Sequence, residues 1–123
     1  MKHVLVVDDS STLRRMVIAS LRSVGNIQCH EAGNGLEAIE RLSLSPIHLM
    51  IIDLNMPDMH GLEVVQFVRG NPSFKGIPII VLTTRGDEDT RAAALSGGAS
   101  VYMTKPFQPK GLATAVRELL VLE

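Results

Sequence analysis

Apolar residues fall in two kinds of stretch that alternate along the chain. The first kind is a short continuous run: 4–7, 49–52, 79–82 and, less strictly, 100–104. The second has apolar positions three or four apart: Leu13, Met16, Val17, Leu21 and Val24; Leu36, Ile39 and Leu42; Leu62, Val65 and Val68; Ala92 to Leu95; Leu112, Val116 and Leu119. Helical spacing predicts amphipathic helices, and continuous runs predict strands covered on both faces. Residues 27–32 alternate instead, which predicts an edge strand with one wetter face. Punctuation sharpens the limits. Ser10 or Ser11 caps the first helix and Gly25 stops it; the second closes before Pro46, the third near Gly70 and Pro72, and the fourth at Gly97-Gly98. The fourth helix has a small, alanine-rich face, so it buries little area and is expected to be the most weakly docked. The fifth runs to the end of the chain.

Five β-α units in this order predict an α/β, doubly wound, five-stranded parallel sheet with five helices on its two faces and right-handed crossovers. Placing the alternating strand at an edge gives the order 2-1-3-4-5, with a switch point between strands 1 and 3. Such sheets bind ligands outside the carboxyl ends of their strands. Asp8, Asp9 and Asp53 fall at the switch point, and Thr83 and Lys105 end the fourth and fifth strands.

The 123 residues suit one domain, 1–123, with 46% hydrophobic residues to fill its core. A net charge of −1 offers no field for nucleic acid, and 3% aromatics without Trp offer no stacking platform. The single Cys29 excludes an internal disulfide and fits a reduced, cytoplasmic compartment. No run approaches membrane-spanning length and no signal peptide is visible, so no membrane insertion is expected. Met1 reads as a native start, and 121–123 coincide with the end of the fifth helix. The histidines at 3, 30, 48 and 60 lack ligand spacing, so zinc is not expected.

Three carboxylates at one edge repel one another, and either a raised pKa or a hard divalent cation relieves this. Mg2+ takes carboxylates, waters and phosphate oxygens in an octahedron. Asp9 and Asp53 would ligate directly, Asp8 through water, and a carbonyl near Asn55 would add an oxygen. Lys105 offers an ammonium to phosphate, Thr83 a hydroxyl, and Thr84 a backbone N–H. Asp53 is then a nucleophile of the kind that forms an aspartyl phosphate. Taken singly, Asp9 reads as a helix cap, Asp53 as a turn residue and Lys105 as a solvated cation; their convergence outweighs those readings.

The segments Val7-Asp8-Asp9-Ser10-Ser11-Thr12-Leu13-Arg14-Arg15, Asp53-Leu54-Asn55-Met56-Pro57-Asp58-Met59-His60-Gly61, Thr83-Thr84 and Lys105-Pro106-Phe107 resemble, in order and spacing, the receiver domain of bacterial two-component response regulators. The nearest likeness is to single-domain chemotaxis regulators of the CheY type. The resemblance implies that Asp53 accepts a phosphoryl group from the phosphohistidine of a sensor histidine kinase. It also implies Asp8 and Asp9 as the magnesium pair, Lys105 on the phosphate, a cis bond before Pro106, Thr83 as switch hydroxyl and Tyr102 as switch aromatic. An output protein would bind the face of helix 4, strand 5 and helix 5, on a monomer or weak dimer. One departure is Arg85, where the likeness suggests an acidic residue. Arg85 and Asn55 border the phosphate, so they bear on phosphoryl lifetime. The alternatives are a receiver cut from a multidomain response regulator or hybrid kinase, an aspartyl-phosphate phosphatase, and a flavin carrier. Asn55 lacks the acid/base chemistry the phosphatase needs, and Asp8-Asp9 would repel a flavin phosphate.

Overall fold

Strands that are apolar on both sides form the middle of the sheet. In the computed structural model, which describes residues 1–56 and 59–120, these are β1 (Lys2–Val7), β3 (Leu49–Ile52) and β4 (Ile79–Thr83). Every residue of β3 and β4 is buried. The half-exposed strands β2 (Ile27–Ala32) and β5 (Val101–Thr104) are the edges. All neighbours run parallel in the order β2-β1-β3-β4-β5.

Helices α1 (Ser11–Ser20) and α5 (Pro109–Leu120) cover one face, and α2 (Gly35–Leu44), α3 (Gly61–Gly70) and α4 (Glu88–Ser96) the other. Alternation along each strand divides the core accordingly. Val4, Val6, Leu49, Ile51, Ile80 and Leu82 pack with Val17, Leu112 and Val116. Leu5, Val7, Met50, Ile52 and Val81 pack with Ala38, Val64, Val68 and Ala94. Ala94 is the one buried residue of α4, as Val17 is of α1, against four in α5; the alanine is the smaller of the two, so α4 buries little apolar area.

Polar side chains start the helices. Ser10 Oγ accepts the Leu13 N–H, Asn34 Oδ1 the Glu37 N–H and Asp87 Oδ2 the Thr90 N–H. Glu37 reaches back to the Gly33 N–H at 2.8 Å, closing a reciprocal box. The end of α1 differs from the expected stop at Gly25. The helix closes at Leu21, whose N–H reaches the carbonyls of both Val17 and Ile18, and tight turns follow through Val24. Gly25 (φ +71°) and Asn26 (φ +53°) then turn the chain into β2. Residues 121–123, expected to complete the fifth helix, lie outside the described residues, as do Pro57 and Asp58.

At the amino ends of β4 and β5, Arg69 donates to the carbonyls of Lys75, Ile77 and Gly98 at 2.9, 2.6 and 2.9 Å. Gly98 has φ +116°, and a Cβ there would lie 2.6 Å from Arg69 Cγ. No helix among the described residues is long and apolar enough to cross a membrane.

Candidate functional site

Three of the predicted site residues sit one rung beyond the end of a strand ladder. The register pairs Val7 with both Ala32 and Ile52. The Asp8 N–H then donates to Ala32 O, and the Asp53 N–H to Val7 O, at 3.1 and 3.0 Å. On the other side of the sheet, Thr83 pairs with Thr104, and the Lys105 N–H donates to Thr83 O at 2.8 Å. Ladder geometry alone therefore fixes where these side chains depart. The loop after Asp53 is held by α3. The Gly61 N–H donates to Leu54 O at 3.0 Å, and a Cβ on Gly61 would lie 2.4 Å from Asp53 O. Only glycine permits that approach.

One carboxylate oxygen each from Asp8, Asp9 and Asp53 lies within 4.8 Å of the others, and no other such group of potential ligands occurs among the described residues. Asp8 and Asp53 are buried and Asp9 is exposed. Asp8 Oδ1 accepts the Ser10 N–H at 2.9 Å, and Asp53 Oδ1 the Asn55 N–H at 3.3 Å. Lys105 Nζ donates to Asp8 Oδ2 at 2.7 Å and to Asp53 Oδ2 at 3.3 Å. Burial works to lower the pKa of this ammonium, but the Asp8 hydrogen bond and the charges of Asp53 and Asp8 outweigh it, and the pKa is raised. One cation thus faces three carboxylates. An excess of hard oxygen donors at this spacing fits a divalent ion.

The remaining predicted residues rim the cluster. Thr83 is fully buried, and its Oγ1 accepts the Arg85 N–H at 3.4 Å. Tyr102 donates its hydroxyl to the Arg85 carbonyl. Both ends of the Arg85 backbone are therefore held by the two predicted switch residues. Thr84 is exposed and receives Asn55 Nδ2 at 3.5 Å. The Arg85 guanidinium turns to Asp87 (3.3 Å) and Thr90 (3.1 Å) at the start of α4 instead of to the aspartates. The Lys105–Pro106 bond is cis. Beside it a cavity of about 370 Å³ is lined by Leu13, Met16, Thr84, Lys105, Pro106 and Phe107.

The response regulator receiver domain family matches residues 4–117. The chain belongs to that family. It is 44% identical over 109 residues to the chemotaxis protein CheY1 of Helicobacter pylori, a match covering 88% of each chain. A putative response regulator from Chloroflexus aurantiacus superposes with a TM-score of 0.91 over 98% of both chains at 31% identity. The Mn(2+)-bound form of response regulator Rcp1 superposes at 0.82, with 31% identity over 97% of this chain and 91% of that one. This receiver is a phosphorylation-activated switch of the CheY-like kind. Receiver domains bind a divalent metal and work with a histidine kinase and an output partner.

Two features escaped the sequence reading. Arg14, which the first motif contains without a role, donates to the Asp8 carbonyl and to Glu31. Three of the four histidines also meet. His3 and His30 share a ring nitrogen contact of 2.8 Å, and the His3 N–H donates to His48 Nδ1 at 2.9 Å. They are 27 and 45 residues apart, so local spacing hides them. The parallel pairing of β1 with β2 and β3 was the signal that could have joined them.

Proposed function

We propose that Asp53 is the phosphoacceptor of this receiver and Mg2+ its physiological ion. The observation that carries the reading is the Lys105 ammonium lying between the buried carboxylates of Asp8 and Asp53. Asp8, Asp9 and Asp53 would hold the ion, which when bound neutralises charge on the transferring phosphoryl group. An Asp53 oxygen attacks phosphorus, the P–N bond of the donor phosphohistidine breaks with its electron pair going to the ring nitrogen, and the imidazole leaves as that nitrogen takes a proton from water. Lys105 lies within reach of the new phosphoryl oxygens, and the Thr83 hydroxyl and Thr84 N–H are placed at the end of the neighbouring strand. Asn55 cannot act as acid and base, so the site holds the phosphoryl group and does not turn it over as an enzyme would.

Output follows from the Arg85 backbone. Drawing the Thr83 hydroxyl toward a phosphoryl group releases the Arg85 N–H and disturbs the carbonyl that Tyr102 holds. Helix α4 follows this loop and is anchored in the core by one alanine, so a small energy biases it. The face of α4, β5 and α5 is therefore the output surface. A cytoplasmic location is consistent with the lone free Cys29. Chemotaxis is favoured by the relative from Helicobacter pylori.

Acetyl phosphate with Mg2+ is expected to label the wild type with an acyl phosphate that is lost in both acid and base and cleaved by hydroxylamine, and Asp53→Asn is expected to remain unlabelled; an acid-stable label would place the phosphoryl group elsewhere. Full labelling of the variant would overturn the assignment.

A further inference from the structure

Asp8 and Asp9 owe their direction to the peptide between them, since its carbonyl belongs to Asp8 and its N–H to Asp9. That peptide is gripped from α1. Arg14 lies one turn into the helix, and helical side chains lean toward the amino end. Its Nη1 donates to the Asp8 carbonyl at 2.5 Å, and its Nε to Glu31 Oε1 of β2 at 2.8 Å. The side chain is 17% exposed. A Cβ on Gly33 would lie 3.5 Å from Nη1, in ordinary contact, so the chain passes directly beside the guanidinium. Meanwhile the Asp8 N–H is tied to Ala32, the next residue of the same strand. The peptides on both sides of the Asp8 Cα are thus referred to the end of β2, one directly and one through Arg14.

We infer that Arg14, anchored by Glu31, is a positioning residue for the divalent ion, holding the Asp8-Asp9 peptide so that both carboxylates face the crevice. The inference rests on the reading of Asp8, Asp9 and Asp53 as the ion site. Two physical effects oppose each other here. A guanidinium near a cation site repels the cation, so by charge alone its loss tightens binding. As a geometric support, its loss weakens binding. Glu31 cancels most of the charge at 2.8 Å, and the carbonyl is held by a charge-assisted bond, so geometry wins. Groups that orient metal ligands typically change metal affinity by about 10- to 100-fold when removed.

The test is Mg2+ titration followed by amide chemical shifts and by calorimetry, without any phosphodonor. Arg14→Ala is expected to raise the Mg2+ dissociation constant about tenfold or more. Glu31→Gln, which keeps an acceptor for the guanidinium but removes the charge that strengthens the bond, is expected to shift it in the same direction by less. Arg14→Lys restores charge but not the fork, and is expected to remain weaker than wild type. Thermal melts identify unfolded variants, and the Arg14→Lys result, with the charge kept and the fork lost, stands where Arg14→Ala does not fold. Unchanged or tighter binding in folded Arg14→Ala, or in Glu31→Gln, would overturn the inference. Failure of the wild type to bind Mg2+ at Asp53 would instead overturn the reading of the site itself.

Discussion

Lys105 lies closer to Asp8 than to Asp53: its Nζ is 2.7 Å from an oxygen of the first and 3.3 Å from one of the second. The cation is seated on Asp8, the proposed ion ligand, and leans toward Asp53, the proposed phosphoacceptor. A phosphoryl group on Asp53 would bring oxygens toward a charge already in place.

Lys105→Met should expose both functions of that charge. Removing one member of a well-buried ion pair typically costs about 3 kcal/mol, so the variant is expected to melt earlier. Mg2+ should then stabilise it more than it stabilises the wild type, because the ion becomes the sole counter-charge. Labelling of Asp53 should slow by at least about tenfold, as expected when a preorganised charge is lost. Labelling at the wild-type rate would remove Lys105 from the mechanism.

Thr83→Val keeps the buried volume but deletes the hydroxyl that receives the Arg85 N–H. With beryllofluoride and Mg2+, the wild type is expected to shift the amide signals of Tyr102 and α4 strongly. The variant should still respond beside Asp53 while the Tyr102 and α4 shifts fall to half or less. Equal shifts in both proteins would break the proposed chain from Thr83 through Arg85 to Tyr102.

The histidine cluster sets an acid limit on stability. Burial first, then His3 and Arg41, hold the His30 pKa below its ordinary value; burial, then Lys2, His3 and the N-terminal amine, do the same for His48. The unfolded chain therefore takes up more protons than the folded one as pH falls through about 6.5. Stability from this cluster is complete above that value and is lost below it, down to the depressed folded pKa values. The melting temperature should drop between about pH 7.5 and 5.5, and His30→Gln should reduce the drop. An undiminished drop in that variant would place the acid sensitivity elsewhere.

The sheet order was legible because burial leaves a simple mark: 49–52 and 79–82 are apolar throughout, while 27–32 alternates. The site was legible because each of its main residues ends a strand, and strand ends can be read from where apolar runs stop. What could not be read were contacts made by side chains crossing between elements. Arg14 carries no periodic signal, since on a helix it looks like any solvated arginine. Gly61 stands in a helix start where glycine is ordinary, and only the nearness of Asp53 O explains it. The Gly25 expectation erred because the last turns of α1 tighten before the glycine is reached.

Arg69 gathers three carbonyls from the turns that lead into β4 and β5. The opposite ends of these strands carry Thr83 and Lys105. Both strands are therefore moored at the foot and loaded at the head. A pull on Thr83 meets no slack below it, so its displacement is passed upward and sideways into the loop before α4. With the foot of both strands clasped by Arg69, the proposed route through Thr83 has the loop before α4 to move.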